Sequence, residues 1–330
     1  MELKNYLTSE TEKKLYQILQ RDFPLVSRPF LHIAKTLGLE EEEVLQILQN
    51  WQKEGKLRQI SAIFNPSYFQ HRSSLFAFKV SKEKLDLAVS VINAHPGVSH
   101  NYLRNHDYNL WFTLVVPPDV DLLKEAEELF QKSEALDFLY LPILKVFKIA
   151  VIFEDDRNFT EQELFDGDTW LSFSFNEKDK LLVKILQEPL PLVSQPFKGI
   201  AESLEMSEEE IFDWLKSMKK RGALRRFAGL FKHHKMGYRK NIMVAWLVPQ
   251  ERIEDVAKEL ASYSFITHCY LRKSYPHFPY NLYTMCHFKE EEGLEVIQNI
   301  AERLKITQYL PLETLKELKK VRLKLFYAKN

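Results

Sequence analysis

Cysteine is scarce in this chain: two residues among 330, Cys269 and Cys286. They lie on neighbouring predicted strands without metal-ligand spacing. So low a count excludes a disulfide scaffold and fits a reducing cytoplasm. An excess of charge is also missing. Lys+Arg and Asp+Glu are both 46, which removes any global attraction to nucleic acid or to an anionic membrane and leaves only room for a local basic patch. No run approaches the roughly 18 apolar residues of a membrane span. The start, Met1-Glu2-Leu3-Lys4-Asn5, has no apolar signal stretch, so a cytoplasmic protein is expected. Hydrophobic residues at 45% and charged residues at 28% are ordinary for a globular chain, and this length predicts two or more domains.

What is present is a phrase that occurs twice. Residues 100–113 read H-N-Y-L-R-N-H-D-Y-N-L-W-F-T and residues 268–284 read H-C-Y-L-R-K-S-Y-P-H-F-P-Y-N-L-Y-T. His100, Tyr102, Leu103 and Arg104 match His268, Tyr270, Leu271 and Arg272, and Tyr108-Asn109-Leu110 matches Tyr280-Asn281-Leu282 after a longer insert. Upstream, Pro24 to Phe30 matches Pro191 to Phe197, and Gly55-Lys56-Leu57-Arg58 matches Gly222-Ala223-Leu224-Arg225. So nearly constant an offset means duplication.

Each half opens with three helical patterns, near Ser9–Arg21, Pro29–Leu37 and Glu40–Glu54, and again near Glu177–Gln187, Pro196–Leu204 and Ser207–Arg221. Pro29 and Pro196 suit a first helical turn, Ser207 with Glu210 forms a capping box, and Gly55 and Gly222 stand where the third helix should stop. A strand pair follows, Leu57–Phe64 and Leu224–Phe231. Three helices with a two-stranded wing make a winged helix-turn-helix. Each half then continues as β-α-β-β-α-β, a ferredoxin-like sheet with helices on one face. Its last strand is expected at Phe138–Ile149 in the first half and near Thr307–Pro311 in the second.

The fold class is therefore α+β, two tandem repeats. The expected division is a winged helix-turn-helix over residues 1-66, a ferredoxin-like domain over 67-152 and an acidic, Phe-rich linker over 153-176. A second winged helix-turn-helix spans 177-233 and a second ferredoxin-like domain 234-330. A winged helix followed by a ferredoxin-like domain resembles the Lrp/AsnC transcription regulators. Those pair their ferredoxin-like sheets to dimerise, so an intramolecular pseudo-dimer is expected here, with a further homo-oligomer left open.

The third helix of such a motif normally leads into the major groove with its N-terminal residues. Here that end reads Glu40-Glu41-Glu42-Glu43 and, in the second copy, Ser207-Glu208-Glu209-Glu210. Carboxylates suit the helix dipole but present the wrong sign to phosphate, which argues against a nucleic-acid partner. The wing arginines, Arg58 and Arg225-Arg226, keep open the alternative of a DNA-binding regulator sensing heme or another small ligand. A third reading is a porphyrin carrier without turnover.

On a strand, alternate side chains share a face. His100, Tyr102 and Arg104 therefore point one way, as do His268, Tyr270 and Arg272. An imidazole, a phenol and a guanidinium on one face, twice over, exceed what a core needs. At this point the resemblance becomes specific. His-Asn-Tyr-x-Arg-x-His-x-Tyr-Asn-Leu-Trp-Phe-Thr is similar to one subunit of the siroheme decarboxylase family. The second half is similar to the other subunit, through Phe231 to Trp246, His268-Cys269-Tyr270, Arg272, Tyr275-Pro276, Pro279-Tyr280-Asn281-Leu282 and Lys319-Lys320-Val321-Arg322. The chain reads as a fusion of the two.

The resemblance implies loss of CO₂ from the C12 and C18 acetate arms of siroheme, giving 12,18-didecarboxysiroheme on the way to heme d1 or heme. It implies siroheme and its decarboxylated products as partners, no cofactor of the protein's own, and iron carried by the substrate. Decarboxylation leaves a carbanion that a pyrrole can absorb once an acid protonates a ring carbon. The candidate catalytic set is His100, Tyr102, Arg104, His106, His268, Tyr270 and Arg272: imidazoles and phenols as acids, guanidinium groups as carboxylate anchors. Candidate substrate contacts are Tyr108, Asn109, Trp111, His234, Lys235, Arg239, Trp246, Tyr275, Tyr280 and Asn281. His106 is the first choice of axial ligand for the substrate iron and His277 the second. His32, His95 and His287 are expected to be structural.

Overall fold

The computed structural model describes residues 9–21, 23–149, 175–231, 240–288 and 293–327. The first half runs α1 (Glu10–Arg21), α2 (Pro29–Leu37), α3 (Glu41–Lys53), β1 (Leu57–Phe64), β2 (Arg72–Lys79), α4 (Leu85–Ala94), β3 (Val98–Arg104), β4 (Tyr108–Val116), α5 (Leu122–Lys132), β5 (Asp137–Leu141) and β6 (Ile143–Ile149). The second runs α6 (Glu177–Leu186), α7 (Lys198–Ser203), α8 (Glu208–Lys220), β7 (Leu224–Phe231), β8 (Lys240–Trp246), α9 (Ile253–Ser262), β9 (Ile266–Arg272), β10 (Leu282–Phe288), α10 (Gly293–Arg303) and β11 (Tyr309–Lys320). The expected linker lies outside the described residues apart from Phe175 and Asn176. No described helix is long and apolar enough to cross a membrane.

The chain divides into two compact units. One holds the described parts of residues 1–71, 172–236 and 324–328; the other holds those of 72–171, 237–323 and 329–330. In the first unit, α3 buries Val44, Leu45, Leu48 and Trp51, and α8 buries Ile211, Phe212, Leu215 and Met218 at the same spacing. That one apolar stripe at helical period fixes the face each helix packs. Ser207 Oγ accepts from the Glu210 N–H while the Glu210 carboxylate accepts from the Ser207 N–H, the expected capping box. Gly55 and Gly222 follow the third helices with φ of 70° and 75°, a conformation that costs other residues roughly 1–2 kcal/mol. The wing differs from expectation. Each half supplies one strand, and β1 pairs antiparallel with β7 across the repeat. The second helix of the second half is also shorter than its pattern, starting at Lys198 behind Pro196 and Phe197.

In the second unit the nine strands run β5-β2-β4-β3-β11-β8-β10-β9-β6. The last strand of each half divides its pairing. β5 pairs with β2 of its own half; past Pro142, which has no N–H to give a ladder, β6 pairs with β9 of the other half. β11 pairs with β8 through Glu313 and with β3 from Thr314 onward. The expected strand at Phe138–Ile149 is thus two strands, and the one expected near Thr307–Pro311 continues to Lys320. This reciprocal exchange makes the two ferredoxin-like halves one pseudo-symmetric body.

Strand alternation sorts the side chains into layers. Phe76, Phe78, Leu110, Phe112 and Leu114 face α4 and α5. Ile242, Val244, Trp246, Cys269 and Cys286 face α9 and α10. The opposite faces meet around Trp111, Leu139, Leu141, Met243, Phe278, Tyr283 and Leu312.

Candidate functional site

The doubled phrase sits on β3 and β9, and both strands carry the same irregularity. Opposite β4, pairing jumps from Val98 to His100; opposite β10, it jumps from Ile266 to His268. One extra residue, Ser99 or Thr267, is therefore bulged out beside each histidine. A bulge of this kind re-aims its neighbours. Here it sets a hydroxyl against each imidazole: Ser99 Oγ lies 2.9 Å from His100 Nδ1 and Thr267 Oγ1 lies 2.7 Å from His268 Nδ1.

From that bulge onward, alternation brings each triad together. His100 and Tyr102 stack with ring centroids 6.3 Å apart, and His268 and Tyr270 lie 5.7 Å apart. All four are half-buried. Arg104 and Arg272 are buried, 3% and 8% exposed. Arg104 lies over the Tyr102 ring at 5.4 Å and Arg272 over Tyr270 at 5.1 Å.

The two arginines make matching contacts at the two strand exchanges. Arg104 donates to the Leu312 carbonyl at 2.7 Å and to Thr314 Oγ1 at 3.2 Å, and Arg272 donates to the Leu141 carbonyl at 2.6 Å. Each therefore ties down the point where the other half's last strand changes partner. Neither pairs with a carboxylate among the described residues, and Nε of each has no hydrogen-bond partner. Burial pulls both guanidinium groups down to about 10. Two buried cations without counter-ions are costly to keep, and an anionic guest would lower that cost.

The surroundings of the triads differ. Thr314, Glu317 and Lys320 of β11 stand opposite Arg104, Tyr102 and His100. Ile143 and Val146 of β6 stand opposite Arg272 and Tyr270. Burial pushes Tyr102 up to about 12, helped by the Glu317 charge. Burial, with the Lys320 charge added, lowers His100. In the second copy, burial holds His268 down at about 4, with coupling to the His287 ring and the Arg272 charge adding to it. Burial lowers His287, and the Lys320 ammonium adds to it, so imidazoles of both halves lie within reach of one cation.

Several expected site residues take other roles. Asn109 accepts from the Val80 N–H at 3.1 Å and donates to the Val80 carbonyl at 2.9 Å; Asn281 makes the same two bonds to Val248 at 3.0 and 2.8 Å. The asparagines of the phrase thus clamp backbone in both halves. Trp246 is fully buried on the helix side, with its indole N–H on Thr284, because its parity on β8 is opposite to that of Met243. Trp111 does lie on the inner face, but it is 1% exposed and donates to the Tyr108 carbonyl, so it is wall. Tyr108 donates to Asp137 at 2.5 Å and Tyr275 to the Tyr140 carbonyl at 2.7 Å. Tyr280 is half-buried, its ring 5.0 Å from that of Phe278.

His106 is half-buried, 5.8 Å from the Phe278 ring. Its Nδ1 accepts the Tyr108 backbone N–H at 3.1 Å. A backbone N–H can only donate, so the neutral ring carries its proton on Nε2. That makes His106 a donor without an outward lone pair, which argues against the expected iron ligation. His277 is exposed, its ring 6.4 Å from that of Tyr108. No cluster of three metal-binding side chains occurs among the described residues. His234, Lys235 and Arg239 lie outside the described residues. His95 is structural as expected, 2.9 Å from Glu125.

Sequence reasoning missed Ser99, Thr267, His287, Glu317 and Lys320. A hydroxyl residue before the histidine in both copies was the available signal for the first two. The others reach the site only through pairing between strands distant in sequence.

Two family models match each half of the chain. An AsnC-like ligand binding domain matches residues 69–148 and 235–319, and a siroheme decarboxylase NirDL-like HTH domain matches residues 12–58 and 179–225. The chain is 38% identical over 315 residues to a siroheme decarboxylase of Hydrogenobacter thermophilus, covering 95% of this chain and 94% of that protein. It is 39% identical to a siroheme decarboxylase beta subunit of Methanosarcina barkeri, which spans 46% of this chain and is itself 99% covered. Among solved structures, the siroheme decarboxylase NirDL in co-complex with an iron-uroporphyrin III analogue superposes with a TM-score of 0.75 at 34% identity, over 96% of this chain and 95% of that one.

Proposed function

The chain belongs to the siroheme decarboxylase family and is an enzyme, a carboxy-lyase; from that premise we propose that Arg104 and Arg272 anchor the acetate carboxylates whose loss as CO₂ is the reaction. The observation that carries this reading is the pair of buried guanidinium groups without counter-ions among the described residues, one per copy, each over a phenol that an imidazole flanks. The solved relative described as holding an iron-uroporphyrin III analogue supports a carboxylate-rich macrocycle as the guest. On this reading the arms are the C12 and C18 acetates and the product is 12,18-didecarboxysiroheme. The protein brings no cofactor of its own, and the iron arrives within the substrate.

The chemistry needs three things from the chain. The carboxylate must be held so that its C–C bond lies across the plane of the pyrrole; a planar guanidinium does this with two parallel N–H donors. The surroundings must be poor in water, so that the charged carboxylate loses more by staying than the departing CO₂ does; Arg104 and Arg272, 3% and 8% exposed, stand at such buried positions. A proton must also arrive. The C–C bond breaks, its electron pair stays with the arm and the ring, and one proton is taken up where CO₂ was lost, so each decarboxylated arm consumes one proton and releases one CO₂. Tyr102, held up at about 12, keeps its proton at neutral pH and can lend it. His106, with its proton on Nε2, can donate as well.

The test is anaerobic incubation of the folded protein with siroheme. Products lighter by one and two CO₂ are expected. Intact siroheme after full occupancy would refute the reading.

A further inference from the structure

The second copy of the phrase continues into a chain of hydrogen bonds that the first copy lacks. His268 Nδ1 lies 2.7 Å from Thr267 Oγ1, Thr267 Oγ1 lies 2.9 Å from His287 Nε2, and His287 Nδ1 lies 2.7 Å from Asn241 Oδ1. Direction follows from the last member. An amide oxygen can only accept, so His287 Nδ1 carries a proton. His287 has its pKa lowered by burial and by the Lys320 charge, so the ring is neutral and Nε2 holds a lone pair. Thr267 has one hydroxyl proton, and the lone pair at 2.9 Å takes it in preference to the Met285 carbonyl at 3.5 Å. Thr267 must then accept from His268 Nδ1–H. The outward nitrogen of His268, Nε2, is left bare.

We infer that Thr267 and His287 are positioning residues that lock His268 as the Nδ1–H tautomer, so that His268 offers the substrate a lone pair and not a proton. His287, expected from sequence to be merely structural, becomes the distal half of this lock. Resting on the decarboxylase reading, the inference divides labour between the two copies of the phrase: the second copy accepts, and the proton that replaces CO₂ comes from the donors of the first.

The first copy is built differently at the decisive position. His100 stands opposite Thr113 as His268 stands opposite Met285, so the counterpart of His287 is Val115. Ser99 reaches His100 at 2.9 Å, but among the described residues no imidazole backs it, and its hydroxyl can donate or accept. His100 is therefore not tied to one tautomer. Duplication supplied two equal histidines; one residue on the neighbouring strand made them unequal.

The tautomer is read without substrate by ¹⁵N–¹H correlation spectroscopy of histidine-labelled protein, which distinguishes protonated from bare ring nitrogens. His268 is assigned by loss of its signals in His268→Gln. Expected is a protonated Nδ1 and a bare Nε2 for His268 in the wild type, and a shift towards the Nε2–H form in Thr267→Val and in His287→Phe. Thr267→Ser, which keeps the hydroxyl, should retain the wild-type pattern. In turnover, Thr267→Val should lower kcat about tenfold or more with KM nearly unchanged, and Thr267→Ser should restore it. A protonated Nε2 on His268 in the wild type overturns the inference. So does a Thr267→Val variant that loses the lock yet turns over at the wild-type rate. If siroheme is never decarboxylated but the tautomer pattern holds, the decarboxylase reading has failed and the lock has not.

Discussion

Replacing Arg272 with methionine separates the site reading from a structural one, because the two predict opposite changes in stability. Methionine has similar reach and no charge. In the folded protein, burial drops the guanidinium from its ordinary value to about 10. That shift corresponds to roughly 3 kcal/mol of cost for keeping the charge buried. The sign follows from the shift: a base whose folded value is depressed destabilises the fold fully at every pH below about 10, and the cost fades as pH rises from there towards the ordinary guanidinium value. Arg272→Met removes that cost but strands the Leu141 carbonyl, which the guanidinium now satisfies at 2.6 Å, at about 1–3 kcal/mol. The sum lies between no change and a gain of about 2 kcal/mol in substrate-free protein. Substrate affinity should fall by about 10- to 100-fold, the equivalent of one charge-assisted carboxylate contact at roughly 1.5–3 kcal/mol. Urea unfolding of substrate-free protein, paired with a spectroscopic titration with siroheme, measures both. A variant that is several kcal/mol less stable but binds siroheme as tightly as wild type would show that Arg272 is a strand-exchange clamp and nothing more.

Acid should weaken the fold through His268. Its value falls from 6.5 to about 4 on folding, so the unfolded chain binds the proton more readily and stability drops as pH falls from 6.5 through 4, by up to roughly 3 kcal/mol; His268→Asn should flatten that part of a pH–stability curve. Asn281→Ala should cost about 2 kcal/mol in urea unfolding by stranding two backbone groups of Val248, with siroheme affinity unchanged, since the side chain clamps backbone. Salt-sensitive binding to duplex DNA should be absent in a mobility-shift assay: α3 and α8 open with Glu41–Glu43 and Glu208–Glu210, and the wing strands are spent on each other.

Much of this was legible in the chain itself. The duplication, the order of elements and the helix faces follow from periodicity, because 3.6- and 2-residue repeats leave direct marks. The triads were legible for the same reason: His100, Tyr102 and Arg104 share parity on one strand. What stayed hidden depends on partners distant in sequence. Pro142 marks a break, but nothing local says that the strand beyond it pairs with β9 of the other half. Trp111 and Trp246 look alike in sequence, yet register sends one to the inner face and the other under the helices. The backbone partners of Asn109 and Asn281, Val80 and Val248, lie about thirty residues away and leave no mark in the motif. The bulge at Ser99 and Thr267 inserts a residue that no alternation count anticipates, and it places the hydroxyls that divide the two histidines.

The central claim, that Arg104 and Arg272 hold the acetates that leave as CO₂, is tested most directly by product masses from anaerobic single-turnover reactions of wild type and the Arg104→Met, Arg272→Met double variant. The account predicts siroheme lighter by two CO₂ from wild type and unchanged siroheme from the folded double variant. Full decarboxylation by the double variant at the wild-type rate would contradict it.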